Sequence, residues 1–177
     1  MSIRNLICEH IVLPVSDILT GQKVYSYSKF LRTSAQWTAD EIRLFQEKRF
    51  RLLISHIASS VPFYRRYFAE NHLSISDFNC LEDIVKLPIV DKALIRKYGL
   101  DQFLSDADPT SDRVITRSSG STGEPFVYHV SKDAYSFNLA AKLRTWYESG
   151  YRLGDRYMKI SNSPRHGKIK KFQDWVN

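Results

Sequence analysis

Ser118, Ser119, Gly120, Ser121, Thr122 and Gly123 stand in one unbroken run, followed by Glu124 and Pro125. Residues of these types at this density suit one task, holding a polyphosphate. Glycine reaches backbone angles that other residues avoid, so the run can turn its amide N–H groups inward as an anion-binding nest. The serine and threonine hydroxyls add donors. Each hydrogen bond to a charged phosphate contributes about 1.5–3 kcal/mol. A few such bonds, with a metal ion sharing the charge, would hold a triphosphate. The competing reading is a surface turn rich in small residues. The run is not a Walker A loop, because Gly123 is followed by Glu124 and Pro125 rather than by Lys and Ser or Thr. Nor is it a dinucleotide fingerprint, which needs a different glycine spacing and a helix directly after the loop.

The elements that must position this loop are legible on both sides of it. Arg113–Thr116 reads as a strand running in, and Phe126–Val130 as a strand running out. Ser131 then caps a helix to about Ser149, with Tyr135, Leu139, Leu143 and Trp146 sharing one face. Gly150 closes it, Gly154-Asp155 is a turn signal, and Tyr157–Ile160 has the pattern of a third strand.

Upstream the chain reads as helix. Thr38 and Glu41 have capping-box form, and a helix follows to about Ser60. Its predicted apolar face is Ile42, Phe45, Leu52, Leu53 and Ile57, with Arg49 snorkelling to water. Pro62 stops that helix. Phe63–Phe68 is a short aromatic-basic helix whose rings are expected to line a core edge rather than to stack bases. Asn79 is the expected cap of a short helix ending before Pro88. Asp91 caps another that Gly99 closes. Ile3, Leu6, Ile7 and Ile11 predict an amphipathic turn or two, expected to pack into the core, with membrane-surface binding the lesser alternative. The order is helices over about 1–110, then strand, loop, strand, helix and strand over about 111–162, then a basic end over 163–177. That is an α/β pattern whose sheet has few partners, so truncation is the expectation.

Composition narrows the classes. The chain has 177 residues, 43% of them hydrophobic and 13% aromatic, which excludes intrinsic disorder. The net charge is +7, and seven basic against two acidic residues from Tyr151 to Asn177 place +5 of it there. A solvated surface, or a face made to meet acidic structure, explains this better than nucleic-acid binding, since no nucleic-acid motif accompanies it. Cys8 and Cys80 lie far apart without metal spacing, which points to a reducing, cytoplasmic setting. Arg4, Glu9, His10, Pro14 and Asp17 break the first apolar stretch, so neither a signal peptide nor a transmembrane segment is expected. His129 alternates with Val127 on a strand and reads as structural or exposed rather than catalytic. His10, His56, His72 and His166 have no evident partners.

Arg117–Phe126 resembles the phosphate-loop signature of the adenylate-forming superfamily, the acyl-coenzyme A synthetases and their relatives. Three further segments narrow the resemblance to phenylacetate–coenzyme A ligase-like proteins. Ile54–Phe68 resembles their helix followed by Val-Pro-Tyr-Tyr. Leu81–Lys92 resembles their Leu-Pro-hydrophobic-hydrophobic-x-Lys segment, and Ser149–Asp155 their Gly-Asp turn before a strand. Trp37, Gln46 and the Gly21-Gln22 region are similar to the branch linked to capsular polysaccharide biosynthesis. The resemblance implies a two-step reaction. A carboxylate attacks the α-phosphate of ATP to give an acyl-adenylate and pyrophosphate, and a nucleophile, often the coenzyme A thiol, then takes the acyl group. It implies that Ser118, Ser119, Gly120, Ser121, Thr122 and Gly123 cradle the β- and γ-phosphates, with Mg²⁺ sharing the charge. Where the superfamily commonly has a loop lysine, this chain has Glu124 and Phe126, which predicts weaker phosphate affinity. The family's adenine pocket, its Tyr-x-x-Thr-Glu-type motif, ribose-binding Asp and C-terminal catalytic Lys are not found in this sequence. No catalytic residue and no metal ligand is therefore assigned.

Three readings follow from the sequence, in order of preference. The chain is the N-terminal part of an AMP-forming carboxylate ligase, inactive alone. Alternatively it is a non-enzymatic phosphate- or nucleotide-binding remnant, working with a separate remainder. The third reading is a basic adaptor for nucleic acid or an anionic membrane surface, suggested by the Arg165–Lys171 cluster.

Overall fold

The computed structural model describes residues 2–107, 113–118 and 125–157. The expected strand residues Met158–Ile160, the Arg165–Lys171 cluster and His166 lie outside the described residues. Seven α-helices and one antiparallel hairpin make up the described fold, with α1 (Ile3–Ile7), α2 (Leu13–Thr20), α3 (Val24–Ser34), α4 (Ala39–Ser60), α5 (Pro62–Glu70), α6 (Lys92–Tyr98) and α7 (Lys132–Glu148). The strands β1 (Arg113–Arg117) and β2 (Val127–Ser131) fall between α6 and α7. The result, among the described residues, is a mostly helical body carrying one two-stranded sheet, a mix of α and β in line with the expected class.

The capping box at the head of α4 forms as expected. The Thr38 hydroxyl accepts from the Glu41 N–H, and the Glu41 carboxylate accepts from the Thr38 N–H at 2.7 Å. Of the predicted α4 face only Ile57 is buried. It goes inward with Phe50 and Ile54, the latter only 1% exposed, while Ile42, Leu52 and Leu53 face out. The reason is the neighbour. α5 turns back at Pro62 and brings Phe68, with Phe78 beyond it, against Phe50 and Ile54, and Val61 closes the cluster. Aromatic pairing stiffens this core, with Phe68 stacked on Phe78 at 5.3 Å between centroids. Phe63 and Phe68 of the aromatic-basic helix are buried, while Arg65 and Arg66 reach outward to Asp106 and Gln102. That helix lines a core, as expected.

The segment before Pro88 also departs from expectation. It is a 3₁₀ turn, Leu81–Lys86, and its cap is Cys80 rather than Asn79. Asp83 accepts from both the Asn79 and Cys80 N–H groups at 2.7 and 3.0 Å. The Lys86 ammonium, and then these two bonds, hold its carboxyl well below the usual range. Asp91 caps α6 by accepting from the Leu94 N–H at 2.7 Å, and Gly99 ends it, as expected.

A second core joins the front of the chain to its later part. α3 and α7 lie along each other around Val24, Leu31 and Ala140. The predicted α7 face is again shifted. Its deepest residues are small ones, Ser136 and Ala140, both 0% exposed, while Tyr135 and Trp146 keep about two fifths of their surface in solvent. Small side chains let the helices approach closely. Leu139 and Leu143 fill the flanks. Buried Ser136 is satisfied, accepting from the Lys23 N–H at 3.2 Å and donating to the Lys132 carbonyl at 2.7 Å. Gly150 ends α7 with φ of 90°, the Gly150 N–H donating to Tyr147 and the Tyr151 N–H to Trp146, a Schellman closure.

The N-terminal helices overturn the expectation of an apolar packing face. Ile3, Leu6, Ile7 and Ile11 are exposed, Ile3 by 78%, and the buried residues are Asn5, Glu9 and Asp17. Each polar group has a specific partner, which is what burial of such groups requires. Asn5 donates to the Leu153 carbonyl and to Asp155 at 2.9 and 2.8 Å, Arg32 pairs with Glu9 at 2.6 Å, and Asp17 accepts from the Tyr25 N–H at 2.7 Å. A π-helical stretch, Cys8–Val12, joins α1 to α2. Its wider turn offsets the drift of a 3.6-residue period and keeps Asn5, Glu9 and Asp17 on one side. Apolar patterning alone misread this helix because hydrogen bonds, not apolar area, set its orientation.

Gly154 shows how tight that docking is. Its φ is 94°, and a Cβ there would stand 3.0 Å from Cys8 Sγ. Gly154→Ala is expected to lower stability by about 1–2 kcal/mol in urea unfolding. An unchanged midpoint would show that the turn does not dock on α1. Ala140→Leu should cost about 1–3 kcal/mol by overpacking the α3–α7 contact, whereas an unchanged midpoint would mean that the two helices do not meet there.

Candidate functional site

The hairpin runs in register from Arg113 opposite Ser131 to Arg117 opposite Val127. The next rung is Ser118 with Phe126, and it is unusual. The Ser118 N–H donates to the Phe126 carbonyl at 2.9 Å. The return bond goes from the Phe126 N–H to Ser118 Oγ, also at 2.9 Å. In a regular antiparallel rung the two residues exchange both main-chain bonds. Here a side-chain oxygen takes one place and ends the ladder at the mouth of the loop.

Of the predicted phosphate-binding residues, Ser118 is therefore placed at that mouth. Its amide is engaged by Phe126, so it closes the loop rather than lining a nest. Its hydroxyl accepts one bond in this rung, and the hydroxyl proton is not used there. Ser119, Gly120, Ser121, Thr122 and Gly123, with Glu124, lie outside the described residues.

The hairpin also brings in a residue that sequence reasoning missed. The Lys92 ammonium stands 5.9 Å from the centroid of the Phe126 ring. Lys92 opens α6 directly after its Asp91 cap, and among the described residues no carboxylate pairs with it. The available signal was the Leu-Pro-hydrophobic-hydrophobic-x-Lys segment, which ends on Lys92. Phe126 in turn stacks on Tyr128 with ring centroids 6.3 Å apart and planes 17° apart. An ammonium over an aromatic face is held by the ring quadrupole without being neutralised.

The two cations nearest in sequence behave differently. Arg117 is the last paired residue of β1 and is exposed at the loop end. Lys132 lies beyond the far end of the hairpin, six residues from Phe126 and so roughly 20 Å from the mouth at the rise of an extended strand. It lines a cavity there with Arg113 and His129. His129 is half-buried, and among the described residues its Nδ1 finds no hydrogen-bond partner. His10 contacts Tyr25 at 3.4 Å. Among the described residues no three His, Cys, Asp or Glu side chains cluster as a metal site. Cys8 and Cys80 are both free. No helix among the described residues is long and apolar enough to cross a membrane.

No family model matches the chain. Curated relatives do. A phenylacetate-coenzyme A ligase of Pseudomonas putida is 32% identical over 121 residues, which is 67% of this chain and 27% of that protein. One from Thermus thermophilus is 28% identical over 129 residues, 72% of this chain and 28% of that protein. One from Escherichia coli is 36% identical over 92 residues, 51% of this chain and 20% of that protein. The chain is similar to phenylacetate-coenzyme A ligases. It spans about a quarter of the length of these curated relatives.

Ser118→Ala removes the acceptor for the Phe126 N–H. Deuterium exchange of that amide should speed up by roughly fivefold, the size of one ordinary hydrogen bond. Unchanged exchange would show that the clamp is open in solution.

Proposed function

We propose that this chain carries the polyphosphate-binding loop of an ATP-dependent, AMP-forming carboxylate ligase. The observation that carries the reading is the Ser118–Phe126 rung, which closes a serine- and glycine-rich loop beside the Lys92 ammonium. Similarity to phenylacetate-coenzyme A ligases supports it. The chain's own share of the chemistry is binding and positioning. Amides of Ser119–Gly123 and the hydroxyls of Ser118, Ser119, Ser121 and Thr122 cradle the β- and γ-phosphates. Lys92 supplies the cation that Glu124 and Phe126 leave out of the loop. Mg²⁺ shares the phosphate charge and is held through the phosphates.

The acyl-adenylate step, and transfer to coenzyme A or another acceptor, belong to the whole ligase in this reading. Turnover by the isolated chain is not part of it. The capsular branch rests on Trp37, Gln46 and the Gly21-Gln22 region alone. Trp37 packs on Phe30 and Phe45 at 5.5 and 5.3 Å, which gives it a structural use in any branch. A cytoplasmic setting fits ATP chemistry and the two free thiols.

Calorimetric titration of the full chain with magnesium pyrophosphate tests the reading. Wild-type protein should bind saturably, Lys92→Gln about tenfold more weakly, and Lys92→Arg between the two, as expected for one charge-assisted bond. Urea midpoints of the variants should match wild type, since Lys92 is exposed. A wild-type chain that ignores millimolar pyrophosphate would overturn the proposal. Equal binding by wild type and Lys92→Gln would remove Lys92 from it.

A further inference from the structure

We infer a binding site for a small uncharged molecule in the cavity between the π-helical stretch, α3 and α7, with the Glu9 carboxylate as its hydrogen-bond acceptor. The cavity holds about 460 Å³, within the range of small-ligand sites. Leu31 of α3 and Ala140 and Leu143 of α7 supply an apolar floor. Glu9 and Tyr147 supply polar groups.

Glu9 is the anomaly. Its side chain is 5% exposed, and Arg32 Nη1 bonds one oxygen, Oε1, at 2.6 Å. A carboxylate accepts at two oxygens, and leaving one of them buried and unbonded is costly. Among the described residues no group donates to Oε2. Nor is Oε2 sealed away. The one fully buried, unbonded side-chain nitrogen or oxygen among the described residues is His129 Nδ1. Glu9 lines the cavity, so Oε2 is reached from there. The backbone holds the carboxylate in that place, because Glu9 lies in the π-helical stretch Cys8–Val12. Such turns are rare and are frequent at functional sites.

The charge of the ligand follows from what surrounds Glu9. Arg32 is already its counter-ion. Arg144 and Arg152 also line the cavity, and both are engaged. Arg144 pairs with Glu148 at 3.0 Å, and Arg152 donates to the Tyr147 and Tyr151 carbonyls at 2.7 and 2.9 Å. Oε2 thus lacks a donor, not a charge. Tyr147 stays a neutral hydroxyl, since burial first and then the Glu9 charge push its pKa up to about 12. The chemistry recognised is a hydroxyl or amide N–H on a small aliphatic body, the donor on Glu9 Oε2 and the body against Leu31, Ala140 and Leu143. None of these residues belongs to the loop mouth, so the site stands or falls apart from the loop reading.

Cyclohexanol, methoxycyclohexane and cyclohexylammonium are the probes, added to the full chain labelled with ¹⁵N and with ¹³C at its methyl groups. Saturable shifts of the Leu31 and Leu143 methyls and of the Glu9 amide are expected with cyclohexanol. Methoxycyclohexane keeps the ring and the oxygen but has no donor, and should bind about tenfold more weakly, as expected for one hydrogen bond to a charged acceptor. Cyclohexylammonium should also bind more weakly than the alcohol. Glu9→Gln should cut the preference for alcohol over ether to about twofold or less, because the acceptor loses its charge. Ser28→Leu, which intrudes on the cavity from α3, should weaken the alcohol about tenfold or more. Two variants guard against loss of structure in one, and amide spectra report whether each is folded. No saturable shifts at these positions, an ether that binds as well as the alcohol, an ammonium that binds more tightly than it, or folded variants that behave as wild type would overturn the inference.

Discussion

Closing a long loop at its neck is the constraint on which the rest of this structure turns. Residues 119–125 separate Ser118 from Phe126, too many for a tight turn to set the register of the flanking strands. The neck must therefore be fixed from outside the loop. The Ser118–Phe126 rung does this at one end, through a main-chain bond and a side-chain bond. At the other end β2 runs directly into α7, whose cap Ser131 accepts from the Ala134 N–H. A two-stranded ribbon alone is marginal in water, so its rigidity has to be borrowed from what it joins.

The lender is the α3–α7 pair. Ser136 and Ala140 permit close approach, and Lys23 and Tyr27 both hold Asp133 at the start of α7. The Asp133 carboxyl is held below its usual range first by the Lys23 bond and then by the Tyr27 bond. Residues near the front of the sequence thus set the angle at which the hairpin leaves the body. The other core, around Phe50, Ile54 and Phe68, seats α5, which meets α6 through Phe63 and Tyr98 at 5.3 Å between centroids, and α6 brings Lys92 to Phe126. One core anchors the hairpin where it enters α7, and the other approaches its loop end through α6. The neck belongs to the whole fold rather than to the glycine run.

Local signals were legible in the sequence where local bonds decide the outcome. The Thr38–Glu41 box, the Asp91 and Ser131 caps, the Pro62 break, and the Gly99 and Gly150 stops all sit where the residues place them. Burial was less legible, because it depends on neighbours that periodicity does not name. α4 offered several apolar residues, and α5 and Phe78 selected Phe50 and Ile54. α7 offered large rings, but the partner helix selected Ser136 and Ala140. In α1 and α2, paired polar groups outweighed an isoleucine stripe altogether. At the candidate site the two strands flanking the loop were evident from their patterning. Lys92 was not, because its proximity to Phe126 is purely tertiary.

Whether this neck holds a polyphosphate cradle is decided by an amide chemical-shift map of the full chain with magnesium pyrophosphate. The account requires saturable shifts at Ser118, through residues 119–124 and at Phe126, with a matching change at the Lys92 side chain. Shifts that fall elsewhere while those residues stay unmoved would contradict it.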